Sequence, residues 1–177
     1  MGRKLRISEF EIRFLTSTRG VLKNIVLMLY TEDGRKLSLY NIPLEIAMEL
    51  EKYSNNGSEF ISGEVDYDYR YTIFEVLMEM PLIEKVVGDS IKEIYINGYD
   101  PENNAYYAEV EITMNYTGGV KRVKMIPSHA VLLSIIGNIP LYVDSDLIRD
   151  SIDVEDIGEL DDLDLDDIFD DEDDQVP

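Results

Sequence analysis

Twice in this chain a glycine turn leads into a strand-like run with basic residues, then Ile-Pro, then a helix-like run. The copies are residues 32–50 and 117–135. Proline lacks the N–H that a central strand needs, so Ile42-Pro43 and Ile126-Pro127 each end a strand. After Pro43, the residues Leu44, Ala47, Met48 and Glu51 recur at helical spacing, which predicts a helix over 44–53. After Pro127, Ser128 stands where a helix cap belongs, and Ala130 to Ile136 is nearly all apolar. That second helix is expected to be buried on most sides, with Gly137 as a left-handed residue at its end.

The segments before each Ile-Pro read as strands. From Leu5 to Phe14 the chain alternates, with Phe10, Ile12 and Phe14 on one face and Glu9, Glu11 and Arg13 on the other. Val21 to Tyr30 is more apolar, and Asp33-Gly34 turns it into a third strand over 35–42. Ile91 to Tyr99 and the alternating run Tyr106 to Met114 precede the strand Lys121 to Ile126. Between the copies, Thr72 is placed to cap a helix through Ile73, Val76, Leu77 and Met80, ended or kinked by Pro81. Further turns are expected before Gly88. Leu141 to Val143 is a last short strand. The fold class expected is α+β, built from duplicated strand–strand–strand–helix units whose antiparallel-rich sheets pack with helices.

Charge divides the chain. Residues 1–149 hold all 16 Lys and Arg against 22 acids, whereas residues 150–177 hold 15 acids and no base. The expected organisation is one domain over 1–150 and an acidic tail over 151–177. Alone, the tail cannot offset its ordering entropy and reads as a solubilising segment, while Ile157, Leu160, Leu163, Leu165, Ile168 and Phe169 also suit it to a protein partner, and its charge to folding back over Lys121, Arg122 and Lys124. There is no cysteine, which excludes disulfides and thiolate zinc sites. No apolar run approaches 18 residues, so no membrane span or membrane partner is expected. The basic start leads into a strand pattern and not a signal core, which makes a cytoplasmic location the default expectation.

Ile126-Pro127-Ser128-His129-Ala130 and Gly137-Asn138-Ile139-Pro140-Leu141-Tyr142-Val143, followed by Asp144, Asp146 and Leu147, resemble the bifunctional nuclease domain family. That family reads Pro-Ser-Asp-Ala, an apolar helix, Gly-x-Pro-Ile-Tyr-Val and a short acidic segment. Ile42-Pro43-x-Glu45 is similar to its first half, and the likeness spans 5–148. The resemblance implies hydrolysis of DNA and RNA phosphodiester bonds by a compact duplicated fold, often as a homo-oligomer. A divalent ion such as Mg or Mn would neutralise phosphate oxygens in such a reaction. The chain departs from the family at Thr72-Ile73-Phe74, where Thr-His-Asp is usual, and at His129, which replaces an aspartate.

Candidate catalytic residues are Glu45, His129 and Arg70. His129 is the chain's one histidine, suited to general-base or metal-ligand work, and equally to a helix's first turn facing solvent. Glu45 occupies the matching place in the other copy, so a pseudo-twofold would set the two at one groove. Arg70 offers a planar fork to phosphate, or to a surface acid. Glu64, Asp66 and Asp68 alternate as metal ligands on one strand face would, and as a solvated face would. Asp144 and Asp146 read as helix caps. The candidate nucleic-acid contact is Lys121, Arg122 and Lys124, with Tyr106, Tyr107 and Tyr116 as stacking partners. Two functions therefore stay open: a metal-dependent nuclease, and a non-catalytic binding or scaffold protein. The first calls for carboxylates converging with Arg or Lys in a concave site, the second for an exposed apolar or aromatic face.

Overall fold

The computed structural model describes residues 2–54, 72–103, 105–114 and 118–149. In chain order the elements are β1 (Lys4–Thr16), β2 (Leu22–Thr31), β3 (Lys36–Leu39), α1 (Leu44–Glu51), α2 (Ile73–Met78) and α3 (Ile83–Ser90). Then follow β4 (Ile91–Asp100), β5 (Ala105–Met114), β6 (Gly119–Met125), α4 (Pro127–Ile136), β7 (Leu141–Asp144) and α5 (Ser145–Arg149). The Arg70 candidate, the acids at 64, 66 and 68, Tyr116 and the acidic tail lie outside the described residues.

The strands form one mixed seven-stranded sheet in the order β3-β2-β1-β7-β4-β5-β6. Each copy of the repeat is an antiparallel meander followed by a helix: β1, β2, β3 and α1, then β4, β5, β6 and α4. The two meanders run outward from β7, which pairs antiparallel with β1 and parallel with β4. β1 and β4 therefore point in opposite directions on either side of β7. That is the relation of a pseudo-twofold axis through the sheet, and the fold is α+β as its sequence pattern implies.

β1 has thirteen residues because it serves both neighbours. Its first three pair with β7, and the rest pair with β2 through two register irregularities. β2 is the middle strand of its meander. Its run Ile25 to Leu29 is buried throughout, so it reads as continuous apolar sequence and not as alternation. Leu27 and Leu29 face the main core with Leu37 and Leu39, while Val26 and Met28 pack with Leu15, Tyr30 and Tyr40 on the other side.

The main core is continuous across both halves. Ile46, Ala47 and Leu50 of α1 and Ala130, Val131, Leu132 and Ile136 of α4 cover Ile94, Ile96, Ala108, Val110, Leu141 and Val143. α1 and α4 touch each other over the sheet. The helical spacing after Pro43 was right, but the buried face is Ile46, Ala47, Glu49 and Leu50. Leu44 and Met48 are exposed, because the stripe that meets α4 and the sheet is rotated from the one their spacing suggested.

Three local expectations are corrected. Ser128 does not cap α4. Pro127 itself takes the first helical position, which its ring favours, and Ile126 is the N-cap. Ser128 is thereby turned into the interior, where its Oγ has no hydrogen-bond partner among the described residues. Gly137 is not left-handed. Asn138 takes that conformation at φ 49°, and Gly137 is small because α3 presses on it. A Cβ on Gly137 would fall 2.6 Å from Val87 Cγ1, and one on Gly88 would fall 2.7 Å from the Gly137 carbonyl oxygen. Gly88 therefore sits inside α3 as a contact point and does not end the helix.

On the face of the second meander opposite the core, a Cβ on Gly98 would come within 1.9 Å of Tyr107 Cζ, so the Tyr107 ring lies across β4 at this glycine. Gly98→Ala is expected to push that ring aside and lower stability by about 1 kcal/mol, a small value because the obstacle is a movable side chain. Tyr107→Ala in the same chain should remove the alanine's penalty. A double-mutant cycle by urea denaturation checks this, and additive effects would mean the ring does not rest on Gly98.

Candidate functional site

Glu45 and His129 stand at the starts of α1 and α4, the two helices that touch over the sheet. They are not at equivalent helical positions. Pro43 lies outside α1 as its N-cap and Pro127 lies inside α4, so Glu45 is the second residue of its helix and His129 the third. One residue is about 100° of helical turn, so the two side chains leave their axes in different directions. Glu45 is exposed and His129 half-buried, and neither side chain makes a hydrogen bond or ion pair with another described residue.

The basic cluster on β6 divides between two faces. Glu109 pairs with Lys124, Glu111 with Arg122, and Ile112 with Lys121. Directly opposed residues share a face, so Lys121 lies on the core side and Arg122 and Lys124 on the other. Arg122 Nε donates to Glu111 at 3.0 Å. Lys124 Nζ lies 4.0 Å from the centre of the Tyr107 ring. Farther along this face Lys4 pairs with Glu93 and lies over the rings of Tyr95 and Tyr142. Tyr95 donates its hydroxyl proton to the buried Asp144 at 2.8 Å. Burial, and then that carboxylate, push the Tyr95 phenol well above its usual range. Asp144 also accepts the Asp146 N–H at 3.0 Å, which makes it a cap for α5. Asp144 is thus engaged on both sides by its own chain.

Among the described residues, exposed apolar side chains concentrate on α2 and α3. α2 and α3 bury no residue completely, and Phe74 and Val87 are their side chains that pack against the main core. Leu82 is 70% exposed, Ile73 69%, Val86 57% and Met80 49%. Beside them a cleft of about 420 Å³ runs between α2–α3 and the end of α4, lined by Tyr53, Met78, Met80, Leu82, Ile135 and Ile136. A second cleft of the same size, between Arg3, Lys4, Arg6 and the turn at Glu32 and Asp33, is polar, and its arginines already pair with those acids.

Leu82 is held out by its backbone. It adopts φ 73°, the left-handed region, as the N-cap of α3. A leucine there costs on the order of 1 kcal/mol that glycine or asparagine would avoid, and such strain gathers where function requires a side chain to be presented. The spacing of Ile73, Val76, Leu77 and Met80 announced a helix. It did not announce that much of this stripe faces outward, because its neighbours are set by tertiary packing.

A polar knot ties this unit to α1. Thr72 and Glu75 form a reciprocal capping box, with the Glu75 N–H donating to Thr72 Oγ1 and the Thr72 N–H to the Glu75 carboxylate. The buried Glu49 on α1 accepts from Thr72 Oγ1 at 2.9 Å and from Lys52 Nζ at 2.8 Å. Lys52 also donates to Glu75 at 2.7 Å. Burial alone would lower the Lys52 ammonium, but the two carboxylates outweigh it and raise it. Among the described residues, no three His, Asp or Glu side chains gather as a metal ligand set.

Lys52, and then the Thr72 N–H, hold the Glu75 carboxyl at about 2 against an ordinary 4.5. A depressed carboxylate stabilises fully above pH 4.5 and loses that contribution as pH falls through about 2. Urea midpoints measured across this window should fall more steeply for the wild type than for Glu75→Gln. Parallel curves would mean the knot carries no linkage. Thr72→Ala should cost about 1 kcal/mol through loss of the cap.

Compared with known proteins, the sequence matches no family model and no curated protein, so the resemblance to bifunctional nucleases rests on the residues that suggested it.

Proposed function

We propose that this protein is a non-catalytic binding module that receives a helical segment of a partner protein in the cleft beside α2 and α3. The observation that carries this reading is the exposed apolar surface of Ile73, Met80, Leu82 and Val86, contiguous in sequence with the cleft-lining Met78 and Ile83. Exposed apolar groups scattered singly are ordinary, but a concentration on one two-helix unit marks an interaction surface. Methionines at 78 and 80 add unbranched, adaptable side chains of the kind that repack around a ligand helix. The strained Leu82 places an apolar group at the tip of the turn, at a cost to the free protein.

The test uses Leu82→Asn, which suits the left-handed backbone and removes the apolar tip, so folding should be preserved or slightly improved. Helical peptides selected from a displayed library against the full chain should carry apolar residues at i, i+3 or i+4, and i+7. Their affinity for Leu82→Asn should fall by about tenfold, the effect of losing one buried leucine contact. No enrichment, or equal binding by the variant, would end this reading.

A second reading is nucleic-acid binding with metal-dependent phosphodiester hydrolysis, as the family resemblance implies. What favours it is the Lys124–Tyr107 pair, an exposed cation over a ring on an open sheet face. Here single-stranded and duplex substrates should be cleaved with Mg²⁺ or Mn²⁺ and not with EDTA, and Glu45→Ala/His129→Ala should abolish cleavage. Unchanged cleavage by the double variant would clear both residues of a role. Absence of cleavage, together with unaltered binding by Lys124→Ala/Tyr107→Ala, would end the second reading.

A further inference from the structure

Acids alternate with the exposed apolar residues along α2 and α3, and Glu84 lines the cleft itself. Glu75, Glu79, Glu84 and Asp89 lie on these helices or at their ends, and Lys85 is the one base among residues 72–90. Glu79, Glu84 and Asp89 are exposed and make no ion pair with another described residue, whereas Glu75 is held by Lys52. On neighbouring α1, Glu45 is exposed and Glu51 half-buried, and Lys52 is committed to Glu49 and Glu75. The unit thus offers exposed apolar side chains interspersed with three exposed acids and one exposed base, Lys85.

Resting on the docking reading above, we infer that the occupant is a basic amphipathic helix. Its apolar stripe meets Met80, Leu82 and Val86, and its Lys or Arg side chains lie over Glu79, Glu84 and Asp89. Charge complementarity selects this partner over the others at hand. A second copy of the chain would bring one set of these acids against another. The chain's own residues 150–177 carry 15 acids and no base, so like charges oppose their entry. An anionic lipid surface is repelled by the same carboxylates. Opposite charges across an interface chiefly speed encounter and set specificity, and salt weakens them.

The experiment uses the full chain and two designed peptides of about 18 residues, about 27 Å long as helices. Both carry leucine on one stripe. One has lysine on the opposite face and the other glutamate. Affinities are measured by fluorescence anisotropy at low and high salt, with sedimentation velocity on the protein alone. The lysine peptide should bind the wild type at least about tenfold more tightly than the glutamate peptide at low salt, with the gap narrowing as salt rises. Glu79→Lys/Glu84→Lys/Asp89→Lys, all at exposed positions, should reverse the preference while leaving the circular dichroism spectrum unchanged. Equal binding of both peptides, weakened alike by Leu82→Asn, would overturn the charge inference and leave the docking reading standing. Failure of both peptides to bind would overturn both readings. Self-association that Leu82→Asn abolishes would make a second copy the occupant and overturn the inference. A gain of about tenfold in affinity for both peptides on deleting residues 150–177 would do the same in favour of the tail.

Discussion

The rest of the structure hangs on the pairing of a four-residue strand. β7 contributes three residue pairs to β1 and three to β4, and through them joins two meanders into one sheet. Val143, fully buried, stands opposite Leu5 on one side and Ile96 on the other, so these backbone bonds are made inside the common core. A hydrogen bond sheltered there is costly to break without replacement. The same short strand runs directly into the Asp144 cap and α5. Its insertion between the copies also places β1 and β4 antiparallel, which lays α1 and α4 together on one side of the sheet.

Among the described elements, that arrangement leaves α2 and α3 with little to pack against. They connect the two copies and belong to neither. Three kinds of contact hold them: the polar knot among Glu49, Lys52, Thr72 and Glu75, the glycine-to-backbone approach of Gly88 and Gly137, and the packing of Phe74 and Val87 on the core. A knot of charge-assisted hydrogen bonds fixes orientation with little burial of apolar area. The consequence is a unit positioned by polar contacts with much of its apolar surface unspent. Leu82 extends the same logic into the backbone, since a branched side chain in the left-handed region is kept only where the fold tolerates a local cost.

The sheet's open face has a different character. Tyr95, Tyr107 and Tyr142 lie there with Lys4 and Lys124 stacked on their rings, and nearby acids answer several of the bases. Such pairs stabilise a flat solvent-facing sheet and also resemble a stacking platform for bases. Geometry of this kind serves either role, and the helical cleft, where apolar area is exposed without compensation, makes the stronger claim to function.

Much of the architecture was legible in the sequence because it depends on short-range rules. β6 ended just before Ile126-Pro127, although β3 stopped at Leu39, ahead of the left-handed Asn41 and short of Pro43; alternation from Ala108 to Val110 chose an inward face, and the two copies announced a duplicated α+β fold. Thr72 as a cap, and Asp144 as another, followed from residue type and position. What the sequence withheld was whatever depends on a neighbour distant along the chain. Lys121, Arg122 and Lys124 look like one cluster until strand pairing sends them to two faces. Glu45 and His129 look equivalent until Pro127 enters its helix and Pro43 does not. Leu44, Ala47 and Met48 looked like one stripe until α1 settled on α4 and against Thr72, burying Ile46 and Glu49 with Ala47 instead. Local sequence determined which segments became strands and helices, since sterics and hydrogen-bond donors act within a few residues. Only the tertiary structure decided which stripe of each helix found a partner within the fold, and so which apolar surface was left exposed.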